Sequence, residues 1–492
     1  MHYMQEAKGE VRRRCWRCQT LGTGCEGYEG HASPQRPSPV THATTGLSLR
    51  SLDGNVSSLP EKRALDFFRA TTAPWIAGFL DDAVWDRTVL QMAVVIPAVR
   101  HASCALAALH EGQISRNTTA NPFTTAFGDP PSLAEQQYEK AVSELRQLVG
   151  SSKPQTNAIL VSAMLCIHFE SLRENFVPAL MHGRSAIGLL NSKGTSAADV
   201  VDDKILRAMI QLDVQGSVSM EARAPGLPFH TVMDAASMPD RFFSVTHARE
   251  VINAWTSRLI SFTRTVANQH KYCDQDSTPH SVLAEATDYK RSFQKLDSLL
   301  SELTHRPNIR LTIREHEAIS VLHVRTMLNA IQSATCLSRE QTAFDASVSE
   351  FDEILTVCTH LLYSKGLGQK IWSASVDDGL IYPLFYTAIH CRESRIRHQA
   401  LTQLKRLPGA ERMWHVQSWV RVAELWIGYE EELLDTPPKV ATARDVPEYR
   451  RVHMAHSKDL EALAPRHPGE VYLRTRPNGM RAEWEDVEYH LK

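Results

Sequence analysis

The chain has 492 residues, of which 43% are hydrophobic and 22% charged, a balance that belongs to globular rather than disordered protein. Its length suits two or three ordinary domains, or one large helical body with a small appendage. A net charge of −2 says nothing of a polyanion partner for the chain as a whole, so any nucleic-acid contact has to come from a local cluster.

The first such cluster is "RRRCWRCQTLGTGCEGYEG", residues 12–30, which spaces Cys15, Cys18 and Cys25 as C-x2-C-x6-C. Two thiolates two residues apart in a tight turn, with a third six residues on, form a metal-knuckle arrangement in which soft sulfurs surround one ion. Gly22, Gly24 and Gly27 supply the backbone freedom of the turn. A redox C-x-x-C is the competing reading, but it belongs at the strand–helix junction of a βαβ unit, and no such unit is predicted here. A four-ligand site would take its last donor from His2, His31 or a carboxylate. Arg12, Arg13, Arg14 and Arg17 lie beside the thiols, yet residues 1–30 carry a net charge of only +1. That charge supports weak, salt-sensitive phosphate binding, of order 10⁻⁴ M. Specific readout also needs a helix or ribbon seated in a groove, and this segment predicts neither.

The other six cysteines (Cys104, Cys166, Cys273, Cys336, Cys358 and Cys391) are scattered, and nine is an odd number, so no disulfide framework is expected. They read as small buried hydrophobes in a reducing compartment. The N-terminal stretch has no apolar h-region, and no apolar run approaches the roughly 18 residues of a spanning helix. The longest, residues 159–172, is interrupted by Ser162, His168 and Glu170. A soluble intracellular protein with no membrane partner is expected.

Residues 31–60 hold Pro34, Pro37, Pro39 and Pro60 among many Ser and Thr, without apolar periodicity or heptads, which predicts a disordered linker. From Glu61 the pattern becomes helix after helix. "EKRALDFFRATTA" opens one, "DAVWDRTVLQMAVVI" is a second ended by Pro97, and "PAVRHASCALAALHEG" is a third starting on that proline. Residues 131–150 carry an amphipathic stripe closed by Gly150. Residues 157–194 read as a helical hairpin whose first arm is apolar nearly all round and hence central. Further helices are predicted at about 201–220, 248–269, 281–303, 311–337, 344–363, 379–405 and 411–434. Near the end, "EVYLRTRPNGMRAEWEDV" alternates across Asn478-Gly479, a β-hairpin signal. The expected class is therefore all-α: an irregular multi-helix body with a small C-terminal β-hairpin, preceded by a zinc-knuckle-like segment and a linker.

Enzyme motifs fail on inspection. "HEAIS" (316–320) begins like a zinc-protease helix but places Ser320 where the second histidine is needed. "GRSAIG" (183–188) is one residue too long for a nucleophile elbow and sits inside a helix. His101, His110, His168, His182, His323 and His390 lie on apolar helices, read as satisfied core or groove histidines, and show no ligand spacing with a carboxylate. The basic run "CRESRIRHQALTQLKR" (391–406) reads as a solvated face, with its helix-end charges complementing the dipole, in preference to a nucleic-acid stripe.

The cysteine segment resembles the second half of the fungal binuclear zinc-cluster domain, including the aromatic that follows "C-E-G" at Cys25-Glu26-Gly27-Tyr28. Residues 61–112, 159–190 and 376–414 resemble signature segments of the fungal-specific transcription factor regulatory domain, so the resemblance spans nearly the whole chain. It implies residues 1–30 as half of a DNA-binding module, 31–60 as linker, and 61–492 as the helical regulatory domain. It implies zinc on Cys15, Cys18 and Cys25, phosphate contacts from Arg12, Arg13, Arg14 and Arg17, and DNA and the transcription machinery or other regulators as partners. It also implies the nucleus as location and regulation of RNA polymerase II genes, of a metabolic or secondary-metabolite pathway, with no enzyme activity. The family's first half, with three more cysteines and its Lys/Arg run, is not in this sequence. Impaired DNA binding is therefore the expectation, and a regulatory adaptor that does not bind DNA is the alternative.

Overall fold

The computed structural model describes residues 58–491 except 78–83, 119–131, 153–154, 174, 193–200, 220–225, 228–237, 273–276, 308, 365–378, 408–409, 412–413, 433, 435–440, 457–468 and 480–482. The cysteine segment and nearly all of the linker, residues 1–57, lie outside the described residues.

The chain enters its folded body at α1, Leu59–Phe67, where the Ser58 hydroxyl caps the helix by accepting the Glu61 backbone N–H at 3.4 Å. A π-helical turn, Phe68–Thr72, joins α1 to α2, Ala73–Ala77. A second one, Val84–Thr88, leads into α3, Val89–Val95. Pro97 then starts α4, Pro97–Thr118, which runs beyond the segment read from sequence. In α5, Leu133–Gly150, Ser132 and Glu135 form a reciprocal capping box. The predicted hairpin is α6, Thr156–Leu172, and α7, Phe176–Ser192. Every residue of α6 from Ala158 to Leu172 is buried, including His168 and Glu170, as a helix apolar on all sides requires. With α8, Asp203–Ser219, these helices enclose the first apolar core around Trp85, Leu106, Leu160 and Met209.

A second core lies between α9, Val245–Phe262, α11, His280–His305, and α12, Ile313–Thr335. Beyond α9 the chain passes through a third π-turn, Thr263–Ala267, and the single turn α10, Asn268–His270. Helix α12 is shared between cores. Ala318, Ile319 and Leu322 face the second, while Val321, Val324, Leu328 and Ile331 face the third. Its polar side chains tie it back to α9, as in the 2.7 Å hydrogen bond from Asn329 Nδ2 to Thr256 Oγ1. The third core is completed by the 3-10 segment Gln341–Ser347, α13 (Val348–Ser364), α14 (Ile381–His390), α15 (Ser394–Arg406) and α16 (Val416–Glu431).

Three details differ from the sequence reading. The single helix expected over 379–405 is two helices, α14 and α15, parted by the extended residues Cys391 and Glu393 around Arg392. The start of the helix expected over 411–434 is a two-stranded ribbon, β1 (Ala410–Glu411) with β2 (Trp414–His415). The C-terminal hairpin, β4 (Gly469–Thr475) with β5 (Glu485–Leu491), gains a third antiparallel strand, β3 (Met454–His456). Its turn closes with a 3.1 Å bond from Gly479 N–H to the Arg476 carbonyl, and Gly479 takes φ of 94°. The all-α class with a small β appendix stands.

Cys104, Cys166, Cys336, Cys358 and Cys391 are buried free thiols; Cys273 is outside the described residues. Burial pushes the Cys104 and Cys166 thiols up to about 12, which keeps them protonated and inert at neutral pH. Among the described residues no helix is long and apolar enough to cross a membrane.

Candidate functional site

The residues singled out for metal and DNA, Cys15, Cys18, Cys25, Arg12, Arg13, Arg14 and Arg17, all lie outside the described residues. The structure instead places the chemistry-bearing residues of the helical body, and it revises two of the readings made of them.

The basic run on 391–406 is not a solvated face throughout. The Arg392 and Arg397 side chains have no exposure to solvent, and both converge on an equally buried Glu430 of α16. Arg392 donates through Nη2 to Glu430 Oε1 at 2.8 Å, and Arg397 through Nη2 to Oε2 at 2.7 Å. Glu430 also accepts the Trp426 indole N–H at 3.0 Å and the Val452 backbone N–H at 3.0 Å. Desolvation alone would raise this carboxyl, but the two guanidinium charges outweigh it and hold it at about 2. Only the outer cations of the run behave as expected: Arg395 meets Asp352 at 2.8 Å and Lys405 meets Glu424 at 2.6 Å, all four side chains well exposed. Arg397 Nη1 also donates to the nearly buried Glu431 at 3.3 Å, and these paired charges make a locking element of the fold.

Most of the histidines are the core and groove residues expected. His110 stacks on Trp75 with 4.2 Å between ring centres and shares a 3.1 Å hydrogen bond with Thr72. Burial lowers its pKa to about 4. His182 meets the Tyr138 hydroxyl at 3.0 Å, and burial lowers its pKa too. His101 pairs with Gln137 at 2.7 Å. His168 sits edge-on to Trp85. His390 is stacked on Phe344 at 4.2 Å, and burial, then the neighbouring Arg392, Lys271 and Arg397, keep it neutral.

His323 departs from the sequence reading, because it does face carboxylates. On α12, its Nδ1 meets Asp297 of α11, and its Nε2 meets Glu353 of α13 at 3.1 Å. The hydrogen bond to Asp297 raises its pKa, burial opposes this, and the outcome is about 9. The two acids lie on opposite ring nitrogens, so this geometry holds a proton and cannot place all three groups on one ion. The partners are 26 and 30 residues distant in sequence, beyond any local spacing signal.

A second polar junction went unremarked in the sequence. The chain leaving α9 carries Arg264 in its π-turn and Lys271 just after α10. Between α12 and α14, Gln332 Nε2 donates a hydrogen bond to the Tyr382 hydroxyl. Arg264 interacts electrostatically with Tyr382, and Lys271 with Cys336 and Arg264. This junction joins the second and third cores.

Comparison with known proteins places one family over most of the helical body. The family described as "Fungal specific transcription factor domain" matches residues 63–426, most of the chain. A curated relative from Emericella nidulans, the "Aspercryptin biosynthesis cluster-specific transcription regulator atnN", is 25% identical over 397 residues. That alignment covers 72% of this chain and 61% of the relative, so the chain spans less than two thirds of the relative's length. No solved structure matches.

Proposed function

The chain belongs to the family defined by the fungal specific transcription factor domain, and from that membership we propose that it is a fungal transcription regulator of the zinc-cluster type. The observation that carries the reading is the extent of the match: residues 63–426 take in the first two cores and the helices of the third up to Trp426, so the family likeness belongs to most of the body. The similarity to a named transcription regulator supports the same reading, and with it a set of RNA polymerase II genes in a biosynthetic pathway as targets and the nucleus as location.

In this proposal Cys15, Cys18 and Cys25 hold zinc. Three soft thiolates at that spacing suit the ion, and sharing of thiolates between two ions lets three cysteines serve as half of a six-thiolate cluster. Arg12, Arg13, Arg14 and Arg17 add phosphate contacts. Partner regulators or the transcription machinery engage the helical body.

One observation favours a second reading. Residues 1–30 supply three thiolates and a net charge of +1, too little for specific readout alone, which suits an adaptor that acts through the helical body. A gel-shift titration separates the two, using G·C-rich triplet sites, non-specific competitor and about physiological salt. It compares the 492-residue chain with the same chain extended at its N-terminus by a basic three-cysteine half. Selective binding by the extended chain only, abolished by Cys15→Ser, supports the zinc-cluster regulator. Failure of the extended chain supports the adaptor. Selective binding by the 492-residue chain itself overturns the half-cluster assignment.

A further inference from the structure

We draw no further inference here: the strongest candidate, the side-chain cluster of Glu470 on β4 with Glu488 and His490 on β5, brings three metal-ligating atoms within 4.8 Å of one another, but it is an acidic surface cluster and no second observation among the described residues points to an ion there.

Discussion

Arg397 and Glu430 meet through a 2.7 Å contact between Nη2 and Oε2, with neither side chain exposed to solvent. Arg392 reaches the other oxygen from the non-helical joint between α14 and α15, and the Val452 N–H reaches it from the chain entering β3. One carboxylate thus fixes the angle between two helices and fastens the segment that leads to the sheet.

Removing that carboxylate leaves Arg392 buried without a counter-charge and Arg397 with Glu431 alone, 3.3 Å from its Nη1. Glu430→Gln should therefore cost about 3–5 kcal/mol of stability, read from urea unfolding followed by tryptophan fluorescence. Arg395→Gln, at an exposed pair in the same run, should cost less than about 1 kcal/mol. Equal losses would contradict the division of the run into buried and solvated cations.

Glu430 also sets an acid limit. Its carboxyl is held at about 2, below its ordinary value, so its contribution is complete above about pH 4.5 and is lost as pH falls toward 2. On the alkaline side His323 acts in the opposite sense. Its pKa is raised to about 9, so its stabilisation is complete below about pH 6.5 and is lost as pH rises through 9. His323→Gln should flatten the stability profile between those two values, as read by denaturant midpoints at a series of pH values. An unchanged slope would show that Asp297 and Glu353 do not hold its proton.

Two glycines should respond in opposite directions. Gly479 takes φ of 94°, where an L side chain is strained, and Gly479→Ala should destabilise by about 1 kcal/mol. Gly428 is exposed on α16 with nothing within 4 Å of an added Cβ, and Gly428→Ala should stabilise by about 0.5–1 kcal/mol.

Zinc should bind the 492-residue chain through Cys15, Cys18 and Cys25 more weakly than a complete four-ligand site, which is worth roughly 10–16 kcal/mol. A mild chelator should strip it without moving the thermal transition of the helical body. Stoichiometric zinc after exhaustive dialysis against the chelator would reveal a missing ligand. Two zinc ions per chain would contradict the half-cluster assignment.

The helices were legible because their caps and periodicity are local. Ser132 with Glu135, the start on Pro97, and the all-round apolar α6 each declare themselves within a few residues. The turn at Asn478-Gly479 did so too, since the glycine takes the conformation that few other residues adopt. Strand β3 could not be read, because three residues carry no alternation and form a strand only by pairing with Tyr472–Arg474. The break at Cys391–Glu393 and the burial of Arg392 and Arg397 depend on Glu430, 33 and 38 positions away. His323 and its two acids are likewise brought together by helix packing alone. Charges reveal their partners only when the partner is near in sequence.

The order in which a ribosome releases the chain gives the network around Glu430 a further consequence. Arg392 and Arg397 emerge before the residue that neutralises them, and Asp345 emerges more than a hundred positions before Arg451, to which it gives both oxygens. The first core draws only on residues 64–254 and can close while synthesis continues. The third core draws on residues up to Tyr489, so it stays open, with its cations solvated and its apolar faces uncovered, until the last residues leave the exit tunnel. A premature stop after α16 therefore leaves a nascent chain that has made Glu430 for its two arginines but never makes Arg451 for Asp345, nor the strands that pack on the third core.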